Sequence, residues 1–389
     1  MKNYNYNIHS YYLPSYEECK AMCDAHGELV FYEVKTQIDN FQISTFNYRL
    51  ANFKHFIEAL EGTDVKGHEM RGITFVFNTD GTLFKRYILL DKFFNVDQTP
   101  CSMYSIVKNF EVANVYVKED GSILNFIMLP NLRIVAKSKM SFVSEQAKEA
   151  QDLFDADVVL QNFVRTMLEK DIMPVFEFVS PRNRIVLQYD KTELILLRLR
   201  CNKTGEYLKL EDFNTTGIKT AVSVGIKTLD ELIALKGEIK DIEGWIVQFT
   251  NGKLVKVKGE HYCALHGVLT EALNRENDII ALILDNKIDD VLGQLAEQDS
   301  RRINVNQIVD IVNFEMNKLK NDTSDLLKHF NGIKKDFAIT YNKNKNFPLA
   351  MSKINGKDLL KNIELQIRKE TNHLLEARTW LEKRGWIKN

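Results

Sequence analysis

The sequence predicts an α+β protein in which an antiparallel-sheet domain, residues 1–260, precedes an all-α domain, residues 261–389. Three observations lead there. Short runs of β-branched and aromatic residues fill the first two-thirds, and turn dipeptides separate them. Beyond about residue 260, apolar residues recur instead at helical spacing. The length of 389 residues also favours one large and one small domain over a single core.

In chain order, the predicted strands are ITFVF (73–77), NVYVK (114–118), ILNFIML (123–129), LRIVA (132–136), PVFEFV (174–179), LILLRLR (194–200), GWIVQF (244–249) and KLVKVK (253–258). Asp80-Gly81, Asp120-Gly121 and Asn251-Gly252 each sit between two apolar runs, the pattern of a tight hairpin, so a meandering antiparallel sheet is expected. One helix, 145–170, interrupts the strands. From about 262 onward three long periodic stretches predict a helical bundle, with only Pro348 to break it.

A formal net charge of −1 excludes nucleic-acid binding through a global positive field. Any such contact must be local. Residues 259–310 carry four Lys/Arg against ten Asp/Glu, whereas residues 311–389 carry sixteen against nine, so the terminal half offers a basic surface of +7. A solvated helix face is the plain reading of such a surface. No run of eighteen apolar residues and no basic-then-apolar leader is present, and a soluble cytoplasmic protein without membrane contact is expected. The five cysteines form no paired framework, and Cys19, Cys23 and His26 lack a fourth partner for a tetrahedral metal site.

The sharpest local signal is Lys118-Glu119-Asp120-Gly121-Ser122, where a predicted strand runs into a turn. Alone it matches many exposed hairpins. Around it lies an ordered set: Arg71-Gly72 upstream, Lys139 downstream, Glu177 in FEF, Glu243 in IEGW, and Lys256 with Lys258 in KVK. A carboxylate inside an apolar strand costs several kcal/mol unless a ligand or cation partners it. Lys256 and Lys258, two apart on a strand, face one way and together attract an anion.

These residues, with HEMRGITF (68–75), DKFFN (91–95), KSKMSFVSEQA (137–147), FEFVSPRNRIVLQY (176–189), GEYL (205–208) and KVKGEHYCALH (256–266), closely resemble the covalent nucleotidyltransferase superfamily. Within it they are similar to the phage-type RNA ligase 1 family, which seals single-stranded RNA and repairs tRNA. The resemblance implies an adenylyltransferase domain and three steps: Lys118 takes AMP from ATP, AMP passes to an RNA 5′-phosphate, and an RNA 3′-hydroxyl displaces it. It implies Glu177 on the AMP ribose, Glu243 in metal-assisted chemistry with Mg²⁺ or Mn²⁺, and Arg71 and Lys92 on the outgoing pyrophosphate. Lys139 becomes a nucleotide-pocket residue, Gly121 leaves room for the nucleotide, and Phe46 stands where an adenosine-site tyrosine is expected. The attacking amine must be uncharged, so Lys256, Lys258 and the metal are expected to lower the pKa of Lys118.

DNA ligases and mRNA capping enzymes share the lysine motif but append an OB-fold, where helices are predicted here. Second-type phage ligases, which seal nicked duplex RNA, place the lysine much nearer the N-terminus. A catalytically silent RNA-binding protein is the alternative from another class. The resemblance further implies a monomer, acting in the host cytoplasm if phage-encoded, whose helical domain recognises tRNA.

Overall fold

The computed structural model describes residues 11–27, 30–49, 51–181, 189–225, 228–239, 241–260, 262, 275–288, 292 and 300–387. The chain divides into two compact units, residues 1–266 and 267–389.

The first unit holds β1 (Phe31–Ile38), β2 (Phe41–Tyr48), β3 (Arg71–Phe77), β4 (Leu83–Tyr87), β5 (Phe94–Asn95), β6 (Val112–Lys118) and β7 (Ser122–Met128). After these come β8 (Ile134–Ser138), β9 (Ile172–Val179), β10 (Glu193–Cys201), β11 (Tyr207–Leu208), β12 (Gly244–Phe249) and β13 (Leu254–Lys258). They form three sheets, ordered β1-β2-β3-β4, β11-β10-β9-β7-β8 and β5-β13-β12-β6. Pairing is antiparallel except between β13 and β5. The α+β class stands, but the single meander does not.

Two of the three hairpin signals close hairpins, Asp80-Gly81 between β3 and β4 and Asn251-Gly252 between β12 and β13. The third, Asp120-Gly121, does not. Lys118 pairs with Gly244 while Ser122 pairs with Phe178, so the chain leaves one sheet and enters another. The groups that would close a solvated hairpin are taken by tertiary partners: Asp120 N–H donates to Tyr189 Oη at 2.9 Å, and Gly121 N–H to Glu177 Oε1 at 3.1 Å. A side chain at 121 would meet the Phe178 carbonyl at 2.3 Å, so here the missing Cβ makes room for β9.

The helix expected over 145–170 is two helices, Glu145–Ala156 and Val158–Glu169. Asp157 breaks the run because its carboxylate caps Val159 and Leu160 N–H at 2.8 and 3.1 Å, and its backbone turns extended to do so. Both helices bury one face, which includes Phe154, Phe163 and Val164, in a core shared with Phe46 and Phe75 of the first sheet and Phe126 and Phe176 of the second. Each ring buried there contributes roughly 1.5–3 kcal/mol. The third sheet has a separate core behind it, where Val115, Trp245, Val247 and Val257 meet Leu229 and Leu232. Alternation then sends Tyr116, Lys118, Ile246, Lys256 and Lys258 to the opposite face.

The second unit is helical among its described residues: Glu276–Leu284, Ser300–Leu327, Lys334–Tyr341, Phe347–Ile354, Leu359–Glu370 and Ala377–Glu382. Val305, Ile308, Val312, Met316 and Leu319 line one buried stripe of the long helix. Pro348 breaks nothing; it occupies the first turn of Phe347–Ile354, where its missing N–H is harmless. No helix among the described residues is long and apolar enough to cross a membrane.

Candidate active site

Lys118 ends β6, Gly244 begins β12 and Lys258 ends β13, and the three stand in one row across the third sheet. Glu243, one residue before Gly244, is therefore delivered to two ammonium groups at once. Its Oε2 accepts from Lys118 Nζ and its Oε1 from Lys258 Nζ at 3.1 Å. The carboxylate is only 3% exposed, and Lys118 remains 21% exposed, so the amine is reachable while its counterion is not. Gly244 allows this crowding, because a Cβ there would lie 2.1 Å from the Val257 carbonyl.

On the facing sheet, Glu177 of β9 accepts Gly121 N–H, which ties it to the turn carrying Lys118. Burial raises its pKa to about 7; Lys118 and Arg71 oppose the rise and Glu243 adds to it. The turn itself is held by Tyr262, whose hydroxyl donates to Asp120 at 2.9 Å, and by Tyr189, whose hydroxyl donates to Glu119 at 3.0 Å.

The electrostatics of Lys118 reverse the sequence-based expectation. Burial pushes its pKa down, but Glu243, Glu177 and Asp120 outweigh burial and hold it above the ordinary lysine value. Glu243 is correspondingly lowered, since Lys118 and Lys258 outweigh its own burial. The depressed amine is Lys256, pushed well down by burial and then by Lys92, Arg71, Lys118 and Lys258. Cations do gather here, but the carboxylate lies on Lys118 and the repulsion falls on Lys256.

Arg71 opens β3, and its Nη1 donates to Leu90 O at 3.3 Å. Lys92 Nζ donates to Tyr48 Oη at 2.8 Å, and Lys139 Nζ lies 5.3 Å from the centroid of the same ring. Phe46 is not part of this gathering; it is fully buried between the rings of Tyr16 and Phe75, at 5.6 and 5.8 Å. The aromatic beside the cations is Tyr48, two residues further along β2, and the register irregularity next to it is an extra residue, Gly72, in β3.

Sequence reasoning also missed Lys137. It is wholly buried, with Nζ donating to Gly72 O, Ser138 O and Lys139 O at 3.2, 3.1 and 3.0 Å, and burial lowers its pKa to about 7. A lysine within the apolar run IVAKS was the available signal. Cys19 is buried, and His26 Nε2 lies 2.7 Å from Ala59 O. Among the described residues no three His, Cys, Asp or Glu side chains form a ready-made metal site. Glu243 and Glu177 do supply hard oxygen donors, which suit a divalent cation held jointly with phosphate oxygens.

The arrangement joins one reachable amine, a carboxylate bonded to it, and a row of cations fit for a polyphosphate. A family model described as RNA ligase matches residues 69–262. A putative RNA ligase from Thermovibrio ammonificans is 28% identical over 251 residues, which cover 61% of this chain and 64% of that protein; the chain thus spans just under two-thirds of the curated relative's length. Among solved structures, an archaeal ATP-dependent RNA ligase is similar with a TM-score of 0.48 and 12% identity, over 79% of each chain. A Naegleria gruberi RNA ligase with PPi has a TM-score of 0.37 and 14% identity, over 46% of this chain and 57% of its own. On the matched residues and the curated relative, the chain belongs to the RNA ligase family, in its phage-type 1 branch.

Proposed function

We propose that the protein is an ATP-dependent RNA ligase that carries AMP on Lys118 and joins RNA 5′-phosphate to 3′-hydroxyl ends. One observation supports this above the rest: Lys118 Nζ is bonded to Glu243 at the rim of a cationic face, on a chain of the RNA ligase family.

Lys118 Nζ attacks the α-phosphorus of ATP; the N–P bond forms as the bond to the bridging oxygen breaks, and pyrophosphate leaves towards Arg71 and Lys92. The amine must first lose a proton, and Glu243 is the group bonded to it. When bound, Mg²⁺ or Mn²⁺ would supply charge neutralisation at the phosphates, held by Glu243 with Glu177 nearby. With a cation held at Glu243, Lys118 would lose the partner that keeps it charged and could release its proton to solvent. Lys256 and Lys258 stabilise the charge that builds on the phosphoryl oxygens. Ile123, Leu197 and Ile246, partly buried about Val175, offer apolar surface to a flat base.

In the second step an RNA 5′-phosphate oxygen attacks the same phosphorus and frees Lys118. In the third, the RNA 3′-oxygen attacks the 5′-phosphate and expels AMP. The basic terminal half, residues 311–389 at +7, is the candidate phosphate-contacting surface for a broken tRNA anticodon loop. The expected result is that wild-type protein incubated with α-labelled ATP and Mg²⁺ forms a radiolabelled adduct and Lys118→Ala forms none. An adduct that persists in the variant removes Lys118 from the mechanism.

A further inference from the structure

Three stretches that carry the family resemblance, HEMRG, DKFFN and GEYL, each contain polar residues that the proposed chemistry does not use: Glu69, Asp91 and Tyr207. The fold brings them together around Arg200 of β10. Arg200 is wholly buried and Glu69 and Asp91 are each 3% exposed, so these are not surface ion pairs.

The geometry is bidentate. Arg200 Nη1 and Nη2 donate to the two oxygens of Glu69 at 3.1 and 2.7 Å. Nε and Nη2 also donate to Gly205 O at 3.0 and 2.7 Å, and Nη1 donates to Leu89 O. The Tyr207 ring lies 4.7 Å from the guanidinium carbon, and the Tyr207 hydroxyl donates to Asp91 Oδ1 while accepting Asp91 N–H at 3.3 Å. The four side chains thus grip two backbone segments, one at Glu69 and one from Leu89 to Asp91.

Those segments carry the two cations assigned to pyrophosphate. Arg71 follows Glu69 by two residues and donates its N–H to Glu69 O at 2.5 Å; Lys92 follows Asp91 directly and donates its N–H to His68 O at 2.8 Å. Stability alone does not require such a network, because a buried ion pair typically gains little over well-packed apolar residues. What apolar residues would not supply is a fixed hydrogen-bonded spacing between the two segments.

We propose that Glu69, Arg200, Tyr207 and Asp91 are positioning residues that hold Arg71 and Lys92 at the spacing needed to receive the departing pyrophosphate. This rests on the RNA ligase reading. It predicts a defect confined to the step that involves pyrophosphate, since sealing a pre-adenylated RNA strand needs no β- or γ-phosphate.

The test is Tyr207→Phe, which keeps the ring against Arg200 and deletes one hydroxyl. For this variant the KM for ATP in adduct formation and the KM for pyrophosphate in the reverse reaction rise roughly tenfold, the loss of about one hydrogen bond. Sealing of a 5′-adenylylated RNA strand, which needs no β- or γ-phosphate, stays within about twofold of wild type, well short of the loss of one hydrogen bond. Asp91→Asn, which keeps an oxygen acceptor for the hydroxyl, recovers most of the ATP affinity and serves if Tyr207→Phe does not fold. Equal losses in both reactions, or none in either, overturn the positioning role. A wild-type protein that neither forms the adduct nor seals pre-adenylated RNA overturns the ligase reading instead.

Discussion

Lys118 and Lys256 sit two strands apart on one face of one sheet, and burial lowers the pKa of both, yet their net shifts run in opposite directions. Around Lys118 the nearest charges are carboxylates, Glu243, Glu177 and Asp120, and the amine is held protonated. Around Lys256 they are Lys92, Arg71, Lys118 and Lys258, and the amine is driven towards neutrality. The lesson is that desolvation acts alike on both, and the sign of the net shift comes from which charges the fold sets beside each. On the proposed mechanism, Lys118 would stay an ammonium until its carboxylate partner is drawn away. An amine whose pKa is lowered by burial and by surrounding cations is shifted back up by phosphates beside it.

The largest effect that tests this contrast is Glu243→Gln. It removes the carboxylate from Lys118, so the pH midpoint for labelling Lys118 with an amine-reactive reagent, read by peptide mass spectrometry, moves down. Adduct formation nevertheless slows by roughly 10²-fold, because electrostatic assistance to the transition state is lost with it. A midpoint that stays or rises breaks the account of Lys118.

Next is Lys256→Met. Because its pKa is held below the ordinary lysine value by burial and neighbouring cations, phosphates arriving beside Lys256 raise it again, and ATP binding to wild-type protein is accompanied by proton uptake at this residue. Calorimetry in two buffers of different ionisation enthalpy measures the uptake. The variant lacks it; equal uptake in both proteins assigns the proton elsewhere.

The smallest effect concerns Glu177, whose folded pKa is about 7 against an ordinary value of 4.5. Over that window the folded protein holds a proton that the unfolded chain has released, so stability falls as pH rises through it and is level above. Glu177→Gln removes the decline. The variant's Tm gains on wild type between pH 5 and pH 8, and a constant difference across that range contradicts the raised pKa.

Much of the first unit was legible because its strands are written locally. GWIVQF was placed at its observed bounds, and the Asn251-Gly252 turn followed from residues that need no distant partner. The same logic failed at Asp120-Gly121, where the local pattern is that of a hairpin but the backbone groups bond to Tyr189 and Glu177, more than fifty residues on. It failed again at Asp157, where one capping carboxylate divided a helical period that otherwise reads through. Position along the chain points to Phe46, but its ring is spent in the core, and Tyr48, two residues on, stands beside the cations.

The sequence by itself determined the α+β class, the helical character of the terminal stretch and most of the charged side chains that gather at the candidate site. Each of these depends on residue type and spacing within one element or motif. Tertiary structure alone decided which sheet each strand joined, that Glu243 reaches Lys118 across 125 positions, and that Lys137 is buried against three carbonyls. The physical reason is that a side chain's charge depends on its nearest neighbours in space, and strand order, not sequence distance, selects them.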